Sequence, residues 1–387
     1  MLIKRLTLKN ILSFKETTVE LGQLNVLIGA NAAGKSNLIE AIGLLHATPS
    51  GIEGQILRGG GVRQWLWLGD EVPSPIGTLQ CVLELSPARG FGPLVYRLQF
   101  SEEARGFLIL DECLASDDPQ TKVFERSSGH VGIGPGGLES ARATGRLVEV
   151  SERESVLSRF KNPADPTPIT EVGNCFEQIR IFREFRTGPT SQARSGISTS
   201  VPKDFLSEGG DNLALVLHEL DFLGVYDRVR EYLTRFCERF EDVKVRVGEG
   251  LARTSLREAG LSGMLSGFRI SDGTLKFLCL LAVLFHPKPA PLVCIEEPEL
   301  GLHPDALRLV AELLVEGSER TQLIVTTHSE ALVDALSDRP DSVLVCERDF
   351  ENSTQFKRLA QDELDEWLKH YTLGELWRKG EIGGGRW

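Results

Sequence analysis

The chain has 387 residues, 41% of them hydrophobic and 25% charged, and a formal net charge of −12; that length holds two or three domains, or one large α/β domain with insertions. The acidic balance excludes a surface that coats nucleic acid generally, leaving room only for a local basic stripe, and the longest apolar stretch, FLCLLAVLF at 277–285, falls well short of a membrane span. Seven scattered cysteines with no CxxC pair, several of them in apolar runs (Cys81, Cys279, Cys294), favour reduced, buried thiols in a cytoplasmic protein.

In chain order, 2–8 and 17–21 alternate as strands and 24–28 (LNVLI) reads as a short buried one, with none of the long apolar core of a signal peptide. A glycine-rich turn leads into a helical run at 38–46. Three alternating segments between 78 and 116, joined by turns such as PARGFG at 87–92, predict an antiparallel meander. A further strand and a charged helix or loop follow over 142–159. The Ser-, Thr-, Gly- and Pro-rich stretch 187–202 reads as a mobile loop. Residues 212–240 carry helical periodicity, with Leu213, Leu215, Val216, Leu220, Leu223, Tyr226, Val229, Tyr232 and Phe236 spaced for one buried side. After a strand at 243–247, helix and strand alternate: a helix after Ser271, the strand PLVCI, a helix over 305–317, the strand QLIVTT, a helix after His328 and the strand SVLVCE. That alternation predicts an α/β fold with a largely parallel sheet. The terminal GGGRW reads as a frayed tail.

Gly29-Ala30-Asn31-Ala32-Ala33-Gly34-Lys35-Ser36, followed by Asn37, matches G-x-x-x-x-G-K-[ST]. It follows an apolar strand and opens a helix, the context in which such a loop wraps phosphate oxygens with backbone N–H groups. Lys35 would reach the β- and γ-phosphates and the Ser36 hydroxyl would ligate Mg²⁺. Further on, the run PLVCI ends on adjacent carboxylates, Glu296 and Glu297. Charge at the carboxyl edge of a buried strand calls for a cation, and Mg²⁺ bound to a nucleoside triphosphate supplies one. Glu296 stands where a carboxylate helps to hold the metal, and Glu297 where one orients or deprotonates an attacking water.

With two further signals these residues resemble the ABC-type ATPase heads of the SMC and RecF-like class. Ser271-Asp-Gly-Thr-Leu-Lys276 resembles the signature motif, whose serine and glycine, here Ser271 and Gly273, cap the γ-phosphate of ATP held by the other protomer. Thr326-Thr-His328-Ser329 resembles the switch-histidine segment, which contacts the γ-phosphate. LGLHP at 300–304 sits where the family has its D-loop, with His303 where transporters carry Asp, and Glu296 replaces an Asp of many relatives. IEEPELGLHP together with TTHS, and the segments SVLSRFKNP, IRIFREF and LGELWRKGEIGG, are similar to the overcoming-lysogenization type of predicted bacterial ATPase. NILSFKE resembles a nucleotide-touching segment, making Lys15 a candidate phosphate contact or a solvated lysine. Gln64 and Arg159 are candidates for the Q-loop position. Arg183 and Arg186 are candidate γ-phosphate or partner contacts, with surface arginines the alternative.

The resemblance implies a P-loop NTPase, ABC-ATPase head fold, with a mostly parallel sheet, an antiparallel β subdomain and a helical insertion. A first ATPase lobe is expected at 1–150, a linker and helical insertion at 151–265, and a second lobe at 266–387. It implies ATP and Mg²⁺ as cofactors, and Lys35, Glu297 and His328 as catalytic residues. Homodimerisation would run through ATP, with DNA and an effector protein as candidate partners and no membrane. Three alternatives stay open: a nuclease of the overcoming-lysogenization type, with a metal-dependent TOPRIM domain faintly echoed by 343–347 and Asp349; a transporter's nucleotide-binding subunit; and an ATP-binding scaffold that does not hydrolyse.

Overall fold

The computed structural model describes residues 2–69, 74–85, 90–103, 106–116, 121–162 and 164–385. Part of the turn expected at 87–92, Pro163 of the SVLSRFKNP segment, and Arg386 and Trp387 of the tail lie outside the described residues. The chain divides into two compact units, one of residues 1–179, 343–359 and 382–387, the other of 180–342 and 360–381.

In the first unit the sequence alternation does what period-two patterning requires. Ile3–Ile11 and Phe14–Glu20 pair as a hairpin, and Ile76–Leu83, Leu94–Glu103 and Gly106–Ser116 continue the sheet antiparallel. It extends beyond the expected meander through Lys122–Ser127, His130–Ile133 and the two-residue strand Val148–Glu149. Along Ile76–Leu83, Leu79, Cys81 and Leu83 are buried while the residues between are half-exposed.

Between the strands of this sheet and the segment that follows them lies a closed polar cluster. The Glu112 carboxylate accepts hydrogen bonds from the Tyr96 hydroxyl (3.0 Å), the Ser155 hydroxyl (2.6 Å) and the Val156 N–H (2.8 Å). Arg126 stands 3.8 Å away, neither charged side chain touching solvent, and donates to the carbonyls of Ser151 and Glu154.

Leu24–Ile28 is buried at all five positions. It pairs parallel with Val343–Arg348, Ile28 level with Val345, and that strand folds back antiparallel onto Thr354–Arg358. A continuous apolar run is what burial on both faces demands.

The second unit carries the parallel strands Arg180–Phe182, Leu292–Glu296 and Gln322–Thr326, with Asp272–Leu284, Leu307–Ser318 and Glu330–Asp334 as helices. The architecture is therefore mixed α/β, parallel in these strands and antiparallel over the longer sheet of the first unit. Two expectations are corrected here. The run 212–240 is two helices, Leu213–Phe222 and Tyr226–Phe236, broken at Leu223–Gly224, so Leu223 is exposed although Leu220 and Tyr226 are buried. The stretch 187–202 is not a featureless loop. It forms the short helix Gln192–Ser195 and the strand Ile197–Ser198, which pairs with Leu251–Glu258. Ile197 packs in a small core with Ala214, Leu215 and Ala252. Among the described residues no helix is long and apolar enough to cross a membrane, and all seven cysteines are thiols outside any disulfide.

Candidate functional site

The phosphate loop leaves Leu24–Ile28 at Gly29 and enters the helix Lys35–Ala47 at Gly34, which caps the helix with φ 112° and no side-chain hydrogen bond. Glycine is required at both ends. A Cβ at Gly29 would stand 2.2 Å from the Cys346 carbonyl oxygen, and one at Gly34 would stand 2.2 Å from Thr354 Oγ1.

The loop's carbonyls are tied back. Lys35 Nζ donates to Gly29 O (2.8 Å) and Ala30 O (3.0 Å). Arg348 donates through Nε and Nη2 to Ala32 O (3.1 and 3.0 Å), and the Thr354 hydroxyl and Cys346 thiol donate to Ala33 O (2.7 and 3.3 Å). Burial pushes the Cys346 thiol up to about 12, so it remains a donor. With the carbonyls of Gly29, Ala30, Ala32 and Ala33 occupied, and the Ala33 N–H donating to Ala30 O (3.2 Å), the loop presents its other N–H groups, the start of a helix, a lysine and an exposed Ser36; that set fits a phosphate chain.

In the second unit the acids sit as the strand pattern placed them. Leu292–Ile295 are buried and Glu296 is the first residue to emerge. Glu297 adopts φ 47°, a left-handed conformation costly for a side chain of this kind and concentrated at functional sites. Its N–H donates to Thr326 O (2.9 Å), and its carboxylate lies 3.8 Å from His328 Nε2. Glu297 and His328 are thus brought together, each about a third exposed. Among the described residues no group of three or more His, Cys, Asp or Glu is arranged to hold a metal. A divalent ion at Glu296 or Ser36 would complete its shell with phosphate and water oxygens, as Mg²⁺ characteristically does.

Ser271 caps the helix Asp272–Leu284, its hydroxyl accepting from the Thr274 N–H (3.1 Å). Gly273 is small because a Cβ there would stand 2.8 Å from Gly301 O, and Lys276 Nζ donates to Leu300 O (3.1 Å). The signature-like helix and the LGLHP turn are therefore bound together. His303 caps the turn Pro304–Ala306.

Three contributors escaped the sequence reading. Glu299 accepts through Oε1 from the Thr327 hydroxyl (2.6 Å) and the His328 N–H (2.9 Å); burial pushes its carboxyl above the ordinary glutamate range. The third acid of IEEPE was its only signal. Replacing Glu299 by alanine should strand those two donors, costing about 1–3 kcal/mol of stability in denaturant unfolding. Glutamine, which keeps the accepting oxygen, should cost much less. Arg194, buried, donates to Thr187 O (2.6 Å), Gly267 O (3.1 Å), Ile270 O and the Asp272 carboxylate, fixing the approach to Ser271. Thr354 Oγ1, its proton on Ala33 O, also lies 2.8 Å from Ser13 Oγ, whose hydroxyl can donate to it.

The remaining candidates fall elsewhere. Lys15 pairs with Glu351 (2.9 Å). Gln64 and Arg159 are exposed in short helices of the first unit. Arg186 pairs with Asp211 (2.6 Å), whereas Arg183 reaches Glu296 (3.4 Å). Asp349 accepts from the N–H groups of Glu351 and Ser353 (2.9 Å each) and from Gln355, and Glu347 accepts from the Gly384 N–H. Of the acids that echo a TOPRIM domain, Asp349 is thus engaged in a local turn and Glu347 in a contact 37 residues along the chain.

Two parts of the chain match known families. Residues 1–54 match the family described as "AAA ATPase domain", and residues 197–334 match "AAA domain, putative AbiEii toxin, Type IV TA system". Among individual proteins, the Old nuclease of Escherichia phage P2 is 27% identical over 189 residues, 43% of this chain and 30% of that protein. The match therefore spans under a third of the nuclease. Among solved structures, an SmcHead bound to the C-winged helix domain of ScpA superposes with a TM-score of 0.59 at 15% identity, over 93% of this chain and 99% of that one. The Smc head domain from Pyrococcus furiosus, with an extended coiled coil and the C-terminal domain of ScpA, gives 0.57 at 15% identity over 95% and 98%. These likenesses agree with the motifs: parts of the chain are similar to AAA ATPase domains and to the Old nuclease, and its fold is that of Smc head domains.

Proposed function

We propose that this chain binds ATP with Mg²⁺ and hydrolyses it. The observation that carries the reading is the phosphate loop whose carbonyls at 29, 30, 32 and 33 are all engaged by its own side chains and neighbours, leaving amides for phosphate. In this reading Gly29, Ala30, Asn31, Ala32, Ala33, Gly34, Lys35, Ser36 and Asn37 hold the triphosphate, with Ser36 and Glu296 as metal ligands. Glu297 takes the proton of the attacking water as general base. His328, set by Glu299, contacts the γ-phosphate.

We further propose that Ser271 and Gly273 of a second copy cap the nucleotide, so that ATP joins two chains and its hydrolysis removes the contacts that favour the joined state. The SMC-head fold and the partial likeness to a phage nuclease support a DNA-related role, in repair or defence against phage, with an effector protein. The lobes at 1–150 and 266–387 are the proposed ATPase halves, with 151–265 as insertion. Free cysteines suit a reducing cytoplasm.

Calorimetric titration of ATP with Mg²⁺ tests the core of this. Binding is expected in the unaltered chain and should weaken about ten- to a hundredfold in Lys35→Ala, the loss of a charge-assisted contact. No heat from the unaltered chain sinks the proposal. Phosphate release measured with and without double-stranded DNA then tests the DNA-related role.

A further inference from the structure

Arg183 follows the strand Arg180–Phe182 directly, and Phe182 is level with Ile295 of the neighbouring parallel strand. The next residues of the two strands, Arg183 and Glu296, therefore emerge side by side at the carboxyl edge. Nε of Arg183 stands 3.4 Å from Oε1 of Glu296, the guanidinium half exposed and the carboxylate largely buried. That separation is longer than the roughly 2.7–2.9 Å of a tight charge-assisted bond. Beside it, Arg183, Lys276, Glu296 and Glu297 line a cavity of about 20 Å³, room for about one water or ion. Glu184 lines it too, so three acidic residues and two cationic ones surround a single small space. A divalent ion on Glu296 would meet the guanidinium at a range where like charges repel strongly.

We infer that Arg183 is a built-in counter-ion for Glu296. It holds and neutralises the carboxylate while no divalent ion is present, and yields it when one arrives, which makes guanidinium and metal alternative partners of one group. Arg183 is thus a positioning residue that sets how strongly metal and nucleotide binding are coupled. The inference rests on the proposed reading of Glu296 as a metal ligand.

Binding of a fluorescent, non-hydrolysable ATP analogue to the full chain, in EDTA and in excess Mg²⁺, gives the coupling as the ratio of the two dissociation constants. In Arg183→Ala, and equally in Arg183→Gln should alanine impair folding, that ratio should rise about three- to fivefold, as expected of a partly exposed pair. The bare carboxylate then repels nucleotide without metal and receives metal unopposed. Arg183→Lys should stay near the unaltered value, and in a Glu296→Gln background Arg183→Ala should change nothing. An unchanged or smaller ratio overturns the inference. So does an equal weakening in EDTA and in Mg²⁺, which would place Arg183 on the nucleotide itself. Absence of analogue binding by the unaltered chain in both conditions would remove the ATP reading, and this inference with it.

Discussion

Glu297→Gln is expected to lower ATP hydrolysis by roughly two to four orders of magnitude, the contribution of a positioned general base, with ATP binding within a few-fold of the unaltered chain. Glutamine has the shape of glutamate and meets the same backbone requirement at φ 47°, so the N–H bond to Thr326 O should persist. What disappears is proton affinity at one oxygen, 3.8 Å from His328 Nε2. If hydrolysis dissolves a nucleotide-joined pair, the variant should also accumulate that pair. Light scattering after size exclusion should then show a dimer with ATP and Mg²⁺, and a monomer without. Hydrolysis at the unaltered rate would remove Glu297 from the role of base. A monomer in every condition would leave the base intact and sink the capping role of Ser271 from a second chain.

The parts of this arrangement that were legible in the sequence are those whose chemistry needs neighbours along the chain. The phosphate loop must be a contiguous run of amides between a strand and a helix. Glu296 and Glu297 must be adjacent so that one closes the strand and the other opens the turn, and Thr327 and His328 stand at the next strand's end. What supports them was not legible, because support comes through space. Thr354 meets Ala33 across 321 residues, and Arg194 meets Ile270 across 76; no periodicity or spacing records either. The Ser- and Gly-rich composition around Arg194 suggested mobility, yet one buried guanidinium bonded to several carbonyls orders the segment. At 212–240 the apolar period passes almost unbroken through Leu223, and composition could not show that the helix stops there. Arg183 was weighed as a contact for phosphate or partner; its actual neighbour followed only from strand register.

Glu112→Ala is expected to be the most damaging single change to the fold, costing about 3–5 kcal/mol in denaturant unfolding, the range for removing one member of a buried pair. The reason is accounting by atoms. The substitution leaves the hydroxyls of Tyr96 and Ser155 and the Val156 N–H without their acceptor, and leaves Arg126, wholly shielded from solvent, without its countercharge. Such a loss is a large share of the roughly 5–15 kcal/mol by which domains are stable. The same site gives a pH signature. Burial, opposed by the Ser155 and Val156 bonds, raises the Glu112 carboxyl above the ordinary glutamate value of 4.5, and burial lowers Arg126. A raised carboxyl means that the folded chain keeps a proton which the unfolded chain has already released. Its stabilising contribution is complete below the ordinary value and is lost as pH rises through the folded one, by at most about 1.4 kcal/mol per pH unit. Glu112→Gln removes that titration while keeping an accepting oxygen. The stability of the unaltered chain relative to Glu112→Gln should therefore fall as pH is raised from 4.5 toward neutrality. A difference that grows over that interval would mean the carboxylate is bound more tightly ionised than protonated, and that Arg126 outweighs burial.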